Sequence, residues 1–114
     1  MNVIERLRKR RKYQASIASE NVWIRAMTQD EFKRAMDLQG DEESYGMAIG
    51  FGLLDDSGES PLFVQAVGES DIDFGARVLK ETGFPTDTRA ELALKILQLS
   101  KGPTASQAEK LKKD

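Results

Sequence analysis

Tyr13-Gln14-Ala15-Ser16-Ile17-Ala18-Ser19-Glu20-Asn21-Val22-Trp23-Ile24-Arg25-Ala26-Met27 is the stretch that decides the fold class. Tyr13, Ala15 and Ile17 alternate with Gln14 and Ser16, the period of a strand with one buried face. Ala18-Ser19-Glu20-Asn21 is short and polar enough to turn the chain. Val22 to Met27 then supplies the β-branched and aromatic residues of a second strand. The expectation is a β-hairpin over 13–27. Val22, Ile24 and Ala26 would share one face, and Trp23 and Arg25 the other.

Downstream, helical signals dominate. Thr28-Gln29-Asp30-Glu31 fits a capping box, in which the Thr28 hydroxyl and the Glu31 carboxylate each satisfy a backbone N–H of the other residue. The helix behind it carries Phe32, Ala35 and Met36 on one face and is expected to end at Gly40. Ser70 is an N-cap candidate, with Asp71 and Asp73 in the first turn where the helix dipole favours acids. Ile72, Ala76 and Leu79 form one stripe of that helix, and Phe74 and Val78 a neighbouring one. Gly83 ends it, with Pro85 just beyond. A last helix begins near Thr86 or Asp87, spreads Ala90, Leu92, Ala93, Leu94, Ile96, Leu97 and Leu99 over a wide apolar face, and stops at Gly102-Pro103.

Residues 41–54 admit two readings. Tyr45, Ala48, Ile49 and Leu53 align on a helix that starts at Asp41-Glu42-Glu43, but Gly46, Gly50 and Gly52 each weaken a helix by roughly 1 kcal/mol relative to alanine. Met47, Ile49, Phe51 and Leu53 equally alternate as a strand. The expectation is a helical turn running into a strand from about Ala48. Asp55 to Ser60 is a turn by composition, and Pro61-Leu62-Phe63 returns as a short edge segment with proline at its start. Residues 3–11 place Val3, Ile4 and Leu7 on one face among basic residues, either a short helix or a solvated N-terminal turn.

The expected fold is therefore α+β: a helix-dominated small domain with an N-terminal hairpin and a helical C-terminal half. One domain is expected over 1–103, with a flexible lysine-rich tail over 104–114. The predicted core comprises Ile24, Phe32, Met36, Leu53, Phe63, Ile72, Val78, Leu79, Leu92, Ile96 and Leu97.

The 114 residues include no histidine and no cysteine. This excludes disulfides, thiolate or imidazole metal ligands, cysteine nucleophiles and histidine general bases. Zero cysteine suits a cytoplasmic protein. No apolar run approaches the ~20 residues that span a bilayer, so no membrane partner is expected. The net charge of −2 hides an asymmetry: residues 1–12 carry +5 and residues 101–114 carry +2, which leaves −9 on the body between them. Between Arg34 and Arg77 there are ten acids and no cation. Such opposition favours end-to-body contacts, within one chain or between copies.

Candidate chemistry is thin. Asp55, Asp56 and Glu59 do not have the spacing of a calcium loop, and a solvated hairpin turn explains them. Asp41-Glu42-Glu43 is explained as an acid-rich helix start without a metal. Gly46, Gly50 and Gly52 lack the order of a phosphate-binding loop, and close backbone packing, within the fold or against another subunit, is the expected role. No serine sits in a nucleophile elbow. No cofactor is expected. Arg6-x-Arg8-Lys9-Arg10-Arg11-Lys12 places six cations in seven positions, enough for nonspecific phosphate contacts. The acidic body speaks against nucleic acid as the main partner and for an acidic protein surface.

Four segments in order resemble the tail assembly chaperones of long-tailed (siphovirus) bacteriophages. They are the short basic segment Val3 to Lys12; the hairpin ending in Val22-Trp23-Ile24-Arg25-Ala26-Met27 before Thr28-Gln29-Asp30-Glu31; the run Ile49-Gly50-Phe51-Gly52-Leu53-Leu54-Asp55-Asp56-Ser57-Gly58-Glu59-Ser60-Pro61-Leu62-Phe63; and Val67-Gly68 before a helix, with Ala93-x-x-Ile96-Leu97-x-Leu99-Ser100-Lys101-Gly102 closing the domain. The extra glycines at 46, 50 and 52 depart from the family pattern. The resemblance implies a protein that is not an enzyme. It would keep the long helical tape measure protein soluble in the host bacterial cytoplasm, help recruit tail tube protein, and be absent from the mature virion. Arg8, Lys9, Arg10, Arg11, Trp23, Phe51, Phe63 and Phe74 are the expected partner-binding residues. A homo-oligomer is expected, because a small domain has little volume to hide its aromatics. The alternatives are a small nucleic-acid-binding or regulatory protein that uses the basic N-terminus, and a minor virion structural or connector protein.

Overall fold

The structure, a computed structural model, describes residues 2–4, 12–38 and 40–101. Within them an antiparallel hairpin, β1 (Lys12–Ile17) and β2 (Glu20–Arg25), precedes four helices: α1 (Gln29–Met36), α2 (Asp41–Gly52), α3 (Asp71–Thr82) and α4 (Thr86–Lys101). The fold is α+β, with a helical C-terminal half.

The hairpin register pairs Ile17 with Glu20, Ala15 with Val22 and Tyr13 with Ile24. Only Ala18 and Ser19 remain in the loop, with φ of 50° and 68°. Two successive left-handed residues make the turn whose twist matches that of the strands, and asparagine and glycine adopt it at least cost. Alanine and serine do so under strain. Ser19→Gly is therefore expected to stabilise the protein by about 0.5–1 kcal/mol. A chemical denaturation midpoint unchanged or lowered in this variant would contradict the turn geometry. Ile17, Ile24 and Ala26 are buried. The sheet continues in miniature, because Leu53 bridges to Ile24 and Pro61 to Leu54, both antiparallel.

The capping box of α1 forms: the Glu31 N–H donates to Thr28 Oγ1 at 3.2 Å, and the Thr28 N–H donates to Glu31 Oε1 at 2.9 Å. The helix ends at Met36, earlier than expected, and Gly40 is the N-cap of α2 rather than a terminator of α1.

The largest correction concerns α2. It stays helical to Gly52, and the expected strand from Ala48 shrinks to the bridges at Leu53 and Leu54. From Gly46 to Leu54 every residue is buried. A helix enclosed on all sides needs no polar face, and its glycines let neighbours approach. A Cβ on Gly46 would lie 2.4 Å from the Gly75 carbonyl oxygen, so α2 and α3 meet backbone to backbone. On Gly50 it would strike the Phe74 ring at 2.7 Å, and on Gly52 the Ile96 side chain at 2.4 Å. The helical propensity lost at the glycines is offset by burial of Met47, Ala48, Ile49 and Phe51 around them.

That contact also decides which face of α3 turns inward. Gly75 must face α2, so its neighbours Phe74 and Val78 are fully buried, while Ile72, predicted in the core, is 56% exposed. Met36, also predicted in the core, is 52% exposed. The ends of α3 match expectation. The Asp73 N–H donates to Ser70 Oγ at 3.1 Å, and Gly83 closes the helix at φ 59°, donating to Leu79 O. On α4, Leu92, Ala93, Ile96 and Leu97 are buried and Leu94 is not. Ser100 Oγ accepts from the Met27 N–H at 2.8 Å, which ties the end of α4 to the chain leaving β2. Ile24, Leu53, Val78, Leu92, Ile96 and Leu97 are buried as expected, and Phe32, Phe63 and Leu79 pack partly buried against them. Val3 and Ile4 are helical and Lys12 opens β1; residues 5–11 of the basic segment and the tail over 104–114 lie outside the described residues.

Candidate partner-binding surfaces

The segment from Pro61 to Ser70 presents apolar side chains outward from a backbone held in place. Its start is fixed by the Leu62 N–H donating to Leu53 O at 3.0 Å. Beyond that the chain is extended and alternates. Leu62 and Val64 are 52% and 72% exposed, whereas Phe63 between them packs partly buried on the core. Ala66 to Glu69 form a turn closed by the Glu69 N–H on Ala66 O at 3.0 Å, with Gly68 at φ 82°. Glycine suits the third position of such a turn because that residue must be left-handed. The turn leaves Val67 at the tip, as exposed as in an extended peptide at 106%.

Two arginines clamp this loop. Arg77 donates from Nε and Nη2 to the two oxygens of Glu69, at 2.9 and 3.0 Å, and from Nη2 to Val64 O at 2.8 Å. Glu69 Oε1 also accepts from the Ala66 N–H at 3.0 Å. Arg34, reaching over from α1, makes a two-pronged pair with Asp71 and donates to Gln65 Oε1 at 2.7 Å. Gln65 in turn donates to Asp71 Oδ1 and Glu69 O. The same guanidinium groups lie over aromatic faces, Arg34 at 5.3 Å from the Phe51 ring and Arg77 at 5.5 Å from the Phe74 ring. Two-pronged pairing fixes direction as well as charge. Arg34 and Arg77 are the cations that bound the acidic stretch of the sequence, and each closes onto it.

The pairs hold their carboxylates ionised. Hydrogen bonding from Arg34, with Gln65 helping, keeps Asp71 below its ordinary value, and Arg77 and the Ala66 N–H do the same for Glu69. A carboxyl whose folded pKa is depressed stabilises the fold fully above its unfolded value, and that contribution is lost as pH falls through the folded value. Stability is therefore expected to fall as the pH drops below about 4. Asp71→Asn should be less stable than the parent at neutral pH and lose less on acidification. Equal slopes of stability against pH in the two proteins would contradict this assignment.

A second apolar surface is a groove of about 400 Å³ where α1 ends, α2 begins and α4 passes. Met36, Tyr45, Leu94 and Leu97 line it together with Lys101. Leu94 is 51% exposed, so the groove is open to solvent.

The chain matches no family model, no curated protein and no solved structure.

The predicted partner-binding residues divide. Phe74 is fully enclosed and Phe51 nearly so, their rings 5.4 Å apart and tilted by 48°. Both are core residues, and Gly50 on α2 makes room for the Phe74 ring. The same finding removes Gly46, Gly50 and Gly52 from any subunit interface. Trp23 is half-buried under Lys12, whose Nζ lies 5.0 Å from the ring, and packs against Gly58. Phe63 is partly buried. Arg8, Lys9, Arg10 and Arg11 lie outside the described residues. The exposed apolar residues Leu62, Val64, Val67, Met36 and Leu94 were not among the expected partner-binding residues; the apolar run Leu62-Phe63-Val64, too long for one buried face of an edge segment, was the available signal. Asp55 is engaged by its own turn, its Oδ1 accepting from Ser57 Oγ at 2.7 Å and from the Glu59 N–H at 3.1 Å. Among the described residues no group of three or more acids gathers to hold a metal ion. None of the described helices is long and apolar enough to cross a membrane.

Proposed function

We propose that this protein is a tail assembly chaperone of a long-tailed bacteriophage. In this reading it acts by binding, not by catalysis. It keeps the helical tape measure protein soluble in the host bacterial cytoplasm, helps bring tail tube subunits to it, and leaves before the virion matures. The order of the four sequence segments supports the family. The observation that carries the mechanism is the clamped loop, on which Leu62, Val64 and Val67 stand out beside the ion pairs of Glu69 and Asp71. A chaperone for an aggregation-prone helix needs apolar surface beside solubilising charge, held ready so that little ordering entropy is lost on contact. Several copies would multiply weak contacts along a long target.

Co-expression with a tape measure protein of a long-tailed bacteriophage is the test. The reading predicts that the tape measure protein becomes soluble and co-purifies. Insoluble tape measure protein, together with salt-dependent binding of DNA or RNA through Arg8–Arg11, would replace this reading with the nucleic-acid one. Recovery of the protein in purified virions would replace it with a structural role.

A further inference from the structure

Besides the clamped loop, two apolar features of the described residues are open to solvent. One is the groove of Met36, Tyr45, Leu94 and Leu97. The other is the start of the chain, where helical Val3 and Ile4 are 57% and 58% exposed. Lys101 is the charged residue in the groove lining, but the chain beside the groove is acidic and the chain after Ile4 is basic. On the side of the groove where α1 hands over to α2, Asp37 follows Met36 directly, and Glu42 and Glu43 precede Ser44 and Tyr45 within a turn. Asp37 and Glu42 are exposed. Val3 and Ile4 lead into Arg6, Arg8, Lys9, Arg10, Arg11 and Lys12.

We propose that the Met36–Tyr45–Leu94–Leu97 groove binds the N-terminal segment of a second copy of this chain, with Val3 and Ile4 seated on its apolar floor and the basic run lying against Asp37, Glu42 and Glu43. Helix-in-groove recognition of this kind reads apolar anchors spaced three or four residues apart, and Leu7 lies four residues after Val3 in the sequence. The contact is heterologous: each copy offers an N-terminus to one neighbour and a groove to another. Such contacts build rings or open chains rather than only paired dimers. The inference rests on the self-association named above and not on the tape measure protein. A monomer that still solubilises the tape measure protein would end this inference and leave the chaperone reading standing.

Analytical ultracentrifugation of the full chain alone gives the test. Average mass should rise with concentration up to ~100 μM, and the association should weaken at least about tenfold on raising salt from about 50 to 500 mM. Ile4→Glu and Leu94→Glu both alter exposed positions, so their thermal melts should match the parent. Each alone should be monomeric. Mixed together they should form a one-to-one complex that grows no further, because only the Leu94→Glu N-terminus and the Ile4→Glu groove remain usable. A parent protein that stays monomeric overturns the proposal. So does a Leu94→Glu variant that associates as the parent does, or a mixture in which no complex forms.

Discussion

Gly46→Ala is expected to destabilise the protein by about 3 kcal/mol, the upper range for forcing an added methyl into a packed interior. In an exposed helix the same change stabilises by roughly 1 kcal/mol, because alanine is the better helix former. The sign of the effect thus reports the environment. At this position the new Cβ would sit 2.4 Å from the Gly75 carbonyl oxygen and 2.8 Å from its Cα, and backbone cannot swing aside as a side-chain tip can. Gly75→Ala should cost less, since its nearest neighbour, Glu43 O, is 3.0 Å away. Urea denaturation of the two variants and the parent measures both. A stabilised Gly46→Ala protein would show that α2 and α3 do not cross there.

Phe74→Ala is expected to cost about 3–5 kcal/mol, as for other buried phenylalanines. The ring fills the space above Gly50, contacts Phe51 and lies beneath Arg77. Removing it leaves a cavity that α2, already in backbone contact with α3, cannot close. A domain at the low end of the ordinary range of about 5–15 kcal/mol would be left close to unfolding at 37 °C. A loss below about 1 kcal/mol would contradict the placement of this ring at the centre of the core. It would also restore Phe74 as a surface contact.

The parts of the fold legible in the sequence are those encoded by local chemistry. The capping box at Thr28, the N-cap at Ser70 and the left-handed Gly83 each act within one turn of chain. So does the alternation that makes the hairpin. The wide apolar face of α4 needs no knowledge of its partner to mark it as buried. The part that was hidden depends on contacts distant in sequence. Gly46, Gly50 and Gly52 argue against a helix by propensity, and nothing local announces that Gly75, Phe74 and Ile96 would come to meet them. The choice between the two stripes of α3 turns on the same pairing, which is why Ile72 was expected inside and lies outside.

The candidate surfaces follow the same division. Charge segregation was plain from composition, and Arg34 and Arg77 were visible as the cations at either end of an acidic stretch. That they close onto Asp71 and Glu69, and so hold Leu62, Val64 and Val67 outward, depends on α1 and α3 being neighbours of the loop. Phe51 and Phe74 were drawn to the surface by an argument from size. It failed because the glycines of α2 allow closer packing than a small domain otherwise achieves.

The most direct measurement is the solubility of the co-expressed tape measure protein when the clamped loop is altered. Val64→Asp with Val67→Asp changes two exposed side chains, and circular dichroism and melting should show the fold intact. The account predicts that the tape measure protein, soluble beside the parent, becomes insoluble and no longer co-purifies with the variant. A correctly folded variant that holds the tape measure protein in solution as well as the parent does would contradict it.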